Sequence, residues 1–250
     1  MITSQARTDE VRAALDRVTD PELDEGVVGL GFITAVEISG ADVAVKFQLP
    51  TYWCAANFSY LMASDMRDAV AALPWVATVS VILDDHMFVT AINEGVAGKK
   101  DFPDAFPTES QTDLAGIRLT FGLKSFERRQ EALIRHLMPR HDEAAAFLSL
   151  SVTGLKNLPL DDEGAALRVR YLERRALAGG PDLAFVTRDG EKIMPETLNI
   201  YLRNIRRVGL NAEFNGALCR GLLAVRYGEP PAALPPEPGL LDFLRAAHPH

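Results

Sequence analysis

The chain has 250 residues, 48% of them hydrophobic, with 26 Lys and Arg against 34 Asp and Glu and a formal net charge of −8. That acidity argues against nucleic-acid binding, which rests on a basic excess, and no apolar run approaches the ~20 residues of a membrane-spanning helix. Two cysteines are too few for a disulfide framework or for the four thiolates that usually hold an iron–sulfur cluster. The expectation is a cytoplasmic chain of one large domain or two small ones, with no secretory signal, because Met1 to Glu10 lacks a basic flank leading into an apolar core.

Thr8 followed by Asp9 and Glu10 reads as a helix start, and Val11, Ala14, Leu15 and Val18 share one helical face. Asp20-Pro21 stops that helix, because the residue before proline is pushed out of the helical region. Asp20, Glu22, Asp24 and Glu25 then crowd one acidic turn. Such a cluster is either a solvated turn or a set of oxygen donors. Phe32, Thr34, Val36 and Ile38 alternate with Ile33, Ala35 and Glu37. After Ser39-Gly40-Ala41-Asp42, Val43, Val45, Phe47 and Leu49 alternate with Ala44, Lys46 and Gln48. This spacing predicts a hairpin with a glycine-containing turn and one buried face. Gly29 and Gly31 lack the third glycine and the opening helix of a dinucleotide fingerprint.

The stretch Pro50-Thr51-Tyr52-Trp53-Cys54 ends the second strand and leads into a helix from about Asn57 to Leu73. A thiol at the start of a helix sits near the positive end of the macrodipole, which favours the metal-binding thiolate. The plain alternative is a small apolar residue packed beside Trp53. Phe58, Met62, Met66, Ala69 and Leu73 form the helix's core stripe. Pro74 ends it, and Trp75, Ala77, Val79, Val81 and Leu83 alternate as a third strand. The order helix, strand, strand, helix, strand makes a small α+β sandwich with helices on one face of a sheet. Asp84, Asp85 and His86 follow that strand as further candidate ligands, with a surface or capping role as the simpler reading of His86.

Asp20-Pro21-Glu22-Leu23, the Gly-Leu-Gly before the hairpin, the strand into Pro-Thr-x-x-Cys and the Leu-Pro-Trp-Val-x-x-Val-x-Val strand together resemble the MIP18 (DUF59) family, over roughly residues 8 to 86. That family includes SufT-like and PaaD-like proteins and the N-terminal part of some cluster-carrier ATPases. The resemblance implies maturation of iron–sulfur or related metalloproteins. It makes Cys54 the functional cysteine and cofactor-binding residue, and Asp20 and Glu22 the acidic motif. Many members carry proline directly after the cysteine, where this chain has Ala55. A thiolate with one or two carboxylates makes a partial shell that iron accepts, and its open positions suit transfer over storage. The expected metal set is therefore Cys54, Asp20 and Glu22, with His86 as an outlying member, for transiently held iron or an iron–sulfur cluster.

Residues 89–115, with Gly95, Gly98, Lys99, Lys100, Pro103 and Pro107, read as a long loop or linker clipped down by Phe102 and Phe106. Ile117, Leu119 and Phe121 suggest a short strand. From Ser125 the pattern is helical, with Phe126, Leu133, Ile134, Leu137 and Met138 inward, Arg128, Arg129 and Arg135 elsewhere, His136 facing solvent and His141 in a turn after Pro139. Helices are expected near Glu143 to Ser151, Asp161 to Ala178, Pro195 to Val208 and Ala212 to Tyr227, with a strand at Leu183 to Thr187. Cys219 reads as buried packing among Leu218, Leu222 and Leu223. The arginine groups around Arg168 to Arg175 and Arg203 to Arg207 read as solvated helix faces paired with acids. The expected organisation is an α+β unit at 1–88, a linker at 89–115, a mostly helical region at 116–228 and a proline-rich tail at 229–250.

The functional expectation is a maturation factor that relays metal through Cys54 and docks a client metalloprotein. That client is an iron–sulfur protein or a di-iron enzyme such as a bacterial monooxygenase. Pairing with a second copy of the chain stands as a further option; nucleic acid and membrane do not. Two rival readings stay open: an enzyme with Cys54 as nucleophile and His86 as base, and an interaction module without metal. No Gly-Lys-Ser/Thr phosphate loop is present.

Overall fold

A computed structural model describes residues 4–109, 113–140 and 144–228. The first unit has the expected element order: α1 (Ser4–Asp16), β1 (Ile33–Ser39), β2 (Asp42–Phe47), α2 (Ala56–Ala71) and β3 (Thr78–Leu83). Strands β1 and β2 pair antiparallel across a two-residue connection between Ser39 and Asp42. Gly40 there takes φ 65°, a conformation glycine adopts without strain. Strand β3 returns through α2 to lie parallel to β2, giving the order β1-β2-β3. Val11 and Leu15 of α1, Val43, Val45 and Phe47 of β2, Met62, Met66 and Val70 of α2, and Val81 and Leu83 of β3 close one core.

Residues 89–115 depart from the expected loop. They hold α3 (Val89–Ala97), α4 (Phe102–Ala105) and a 3-10 turn (Pro107–Glu109). Gly95 marks tight packing here: a Cβ would stand 2.8 Å from both Ala105 Cβ and the Tyr60 ring. Phe102 and Phe106 stack at 4.6 Å between centroids and bury against Tyr60, so this stretch does clip onto the first core. The expected strand at 117–121 is instead the first turns of α5 (Leu114–Leu137). Ile117 and Phe121 are half-buried while Leu119 is exposed, the signature of a 3.6-residue period.

Beyond it lie α6 (Ala144–Leu148), α7 (Val152–Asn157), α8 (Asp162–Arg175) and α9 (Leu198–Tyr227). The expected strand at 183–187 shrinks to a single bridge between Val186 and Lys192. The two helices expected at 195–227 are one helix of 30 residues after a 3-10 turn. A second core gathers Phe126, Leu133, Phe147, Tyr171, Phe185 and Leu202. Its buried Gln130 is fully used: Nε2 donates to the Val186 carbonyl and the Tyr201 hydroxyl, and Oε1 accepts from Tyr171. Arg175, expected on a solvated face, is buried and donates to the carbonyls of Gly179, Pro181, Leu183 and Ala184. His136, expected in solvent, tucks its ring against Asp161 at 2.8 Å. His141 and the tail at 229–250 lie outside the described residues.

Thirty helical residues span about 45 Å, and α9 uses that reach to touch both cores. Leu198, Leu202 and Ile205 bury in the second, Leu223 in the first. Arg129 of α5 adds a buried fork to Asp24, with Nε and NH2 each 2.7 Å from a carboxylate oxygen. Among the described residues, no helix is long and apolar enough to cross a membrane.

Candidate functional site

The loop between β2 and α2 carries Cys54 one residue ahead of the helix N-cap, Ala55. The thiol is partly exposed, and its sulfur lies 3.1 Å from the Thr51 hydroxyl. Its neighbours Tyr52 and Trp53 project outward, Trp53 with 71% of its surface in solvent. Two aromatic rings displayed beside a thiol are uncommon on a surface where nothing binds.

His86 holds this loop from beneath. It is 1% exposed, which corrects the surface reading. Its Nδ1 accepts the Phe88 amide at 3.1 Å, so Nε2 carries the proton and donates to the Cys54 carbonyl at 2.8 Å. Burial, with the nearby Arg226 charge, holds its pKa below 6.5 and keeps the ring neutral. Both ring nitrogens are thus engaged in this arrangement. The imidazole meets the cysteine's carbonyl, whereas a general base must reach the nucleophile itself.

The acidic turn is built by Asp20. Its Oδ1 accepts the amides of Glu22 and Leu23, both at 2.9 Å, a side-chain mimic of a backbone turn across Pro21; the helix expected to run up to that proline ends earlier, at Asp16. Burial raises the Asp20 pKa, opposed by those two amides and reinforced by the Glu22 and Glu25 charges. Asp24 takes a left-handed φ of 55°. Burial would raise its pKa as well, but the Arg129 fork prevails and the group sits below 3.8. Glu22 is exposed and accepts from Asn215 Nδ2 at 3.1 Å. Among the described residues, no three His, Cys, Asp or Glu side chains form a group ready to hold a metal ion.

The sequence reading missed what covers this ground. Helix α9 lies across both loops: Arg220 pairs with Glu25 at 2.7 Å, and Arg226 donates to the Leu49 carbonyl at 3.0 Å and to Asp85. Cys219 belongs to this face of α9. Of its expected companions only Leu223 is buried, Leu218 and Leu222 being exposed. The thiol is half-buried and packs on the same core as Cys54. Burial, then the charges of Asp20, Cys54 and Glu22, push its pKa up to about 11. The recurrence of buried positions along 198–223 was the available signal, obscured because the pattern was divided at Gly209 into two helices.

A cleft of about 500 Å³ lies between the first unit and α5, lined by Arg17, Pro21, Asp65, Arg118 and Phe121 and not by Cys54. Arg118 there is spent on a two-bond pair with Asp65, both contacts 2.6 Å.

Residues 8–81 match the family model described as iron-sulfur cluster assembly protein. Over 74 residues the chain is 34% identical to the Fe-S cluster assembly factor HCF101, chloroplastic, of Oryza sativa subsp. japonica. That stretch is 30% of this chain and 14% of the rice protein, so the chain spans a small part of its relative's length. Residues 8–81, matched by the family model, contain the acidic turn, the hairpin and the Cys54 loop.

Proposed function

We propose that the chain is an assembly factor for iron centres, which takes iron, alone or with sulfide, as cargo at Cys54 and passes it to a client metalloprotein. The observation that carries this reading is the placing of Cys54 within the matched segment: a half-exposed thiol on a loop pinned by His86, with Tyr52 and Trp53 displayed beside it. A transfer protein needs both features, a soft donor that a second protein can reach and an apolar surface for that protein to land on.

The chain's own residues divide the work. Cys54 supplies the thiolate. Thr51 orients its sulfur, and His86 fixes the carbonyl behind it, so the loop is held while the thiol stays open. Asp20 and Glu22, the acidic motif of the matched segment, are the candidate oxygen donors. Asp20 Oδ1 is committed to the turn, whereas the exposed Glu22 is free to swing from Asn215. Few donors and open positions favour handing on over storage. The client is an iron–sulfur protein or a carboxylate-bridged di-iron enzyme, and Tyr52, Trp53 and Met87 form its landing surface.

The test is transfer. The full chain, reduced and loaded anaerobically with ferrous iron and sulfide, is mixed with an apo-ferredoxin, and the cluster absorbance of the re-isolated ferredoxin is followed. Cys54→Ser should abolish transfer beyond the rate from free iron and sulfide. Equal transfer by the variant and the native chain refutes the proposal.

A further inference from the structure

The buried seam of α9 runs Leu202, Ile205, Gly209, Ala212, Gly216 and Leu223, steps of three and four apart from one gap. Cys219 fills that gap. A helix presents such a row along one side, so Cys219 must face the first unit. Contacts on either side of it fix where. Gly216 comes so close to the acidic turn that a Cβ there would be 3.0 Å from Glu25 Oε1. Asn215 and Arg220 bond Glu22 and Glu25, while Leu223 lies over Gly31, a Cβ on which would meet it at 3.4 Å. One turn further, Arg226 reaches the Leu49 carbonyl at the root of the Cys54 loop. Cys219 therefore sits above the ground between the acidic turn and Cys54. Both thiols pack on the same cluster of side chains, and neither is in a disulfide. Tyr227, packed on that cluster as well, has a buried hydroxyl with no hydrogen-bond partner among the described residues.

We propose that Cys54 and Cys219 form a two-thiol site for a thiophilic divalent cation of the ferrous class, with α9 supplying the second sulfur. This rests on the assembly reading and deepens it, since the second donor lies outside the matched segment. Each thiol loses its proton to solvent as its sulfur bonds the ion, so two protons leave per ion bound and no electron moves. Two sulfurs without a third or fourth protein donor leave the ion exchangeable.

Cobalt(II) is the probe, a ferrous stand-in with a sulfur-to-metal charge-transfer band. The reduced full chain is titrated anaerobically in weak buffer while band intensity and proton release are recorded. The native chain should release about two protons per ion. Cys219→Ser should release about one, with the band halved and affinity weakened by roughly tenfold or more. Cys219→Ala, which leaves no donor atom at that position, should match it, and far-UV circular dichroism verifies folding of both. If both Cys219 variants bind like the native chain while Cys54→Ser loses the band, the second thiol is refuted and the assembly reading stands. If Cys54→Ser also leaves band and protons unchanged, both fall.

Discussion

Replacing Arg129 by Met removes the guanidinium fork that reaches Asp24, and the structure sets the size of the effect. Arg129 and Asp24 expose only 7% and 6% of their side chains, with two 2.7 Å charge-assisted bonds between them. Met keeps the stem and the helix propensity, so the loss falls mainly on the stranded carboxylate, with the more exposed bonds to Glu173 and the Arg170 carbonyl lost as well. Breaking one side of a buried pair costs about 3–5 kcal/mol. Arg174 at 3.7 Å and Arg170 at 3.9 Å remain to screen Asp24, which places Arg129→Met near the lower end, about 3 kcal/mol. Asp24→Asn keeps a residue that tolerates the left-handed φ of 55°. Added to Arg129→Met it should recover about 1–3 kcal/mol of the loss, because the pair acts as a unit.

The assay is urea unfolding of the single and double variants between pH 3 and 7, read as midpoint shifts at constant slope. The pH dependence carries its own sign. In the native chain Asp24 titrates below 3.8, so its stabilising contribution is complete above that value and is lost as pH falls through its lower folded pKa. Without Arg129, burial is the leading influence and pushes the group up instead, so stability drops as pH rises through the raised value. The gap between native and Arg129→Met must therefore widen from acid to neutral pH. A loss under about 1 kcal/mol, or a gap flat across that range, refutes the account of this pair as a buried clamp on the acidic turn.

Two further outcomes follow from the Cys54 loop. His86→Ala should cost about 2–4 kcal/mol by calorimetry, since it opens a cavity and strands the Cys54 carbonyl. It should also erase part of the native pH profile: His86 titrates below 6.5 when folded, so native stability declines as pH falls from 6.5 toward that lower value, and the variant should lack that decline. Trp53→Ser should change stability by no more than about 0.5 kcal/mol, its ring being mostly in solvent, while slowing transfer to the apo-ferredoxin; unaltered transfer removes Trp53 from the landing surface.

Much of the first unit was readable because its apolar positions repeat at periods of two or 3.6 over whole elements. Val11, Ala14 and Leu15 are buried on α1 as their spacing predicts, Val18 is buried past that helix's end at Asp16, and the alternating Val43, Val45, Phe47 and Leu49 are the buried face of the hairpin. Reading failed where a residue type has two uses. Gly95 and Gly209 suggest breaks, yet each stands within a helix, where a missing side chain allows Gly95 to pack on Tyr60. Ile117, Leu119 and Phe121 alternate by coincidence; only the neighbours of α5 show which of them is inward. Arg129, assigned away from the core by its place off the apolar stripe, is buried because an acid from another element meets it there.

The local chemistry of the candidate site was written in the chain order: a thiol between a strand and a helix, an acidic turn around Pro21, and the α+β unit that carries both. Contacts across long separations decided the rest. His86 joins the Cys54 carbonyl over 32 positions, and Arg220 joins Glu25 over 195. Periodicity tells which side of a helix is apolar but not what that side meets, so only the folded chain could bring α9, and with it Cys219, over the loop that bears the first thiol.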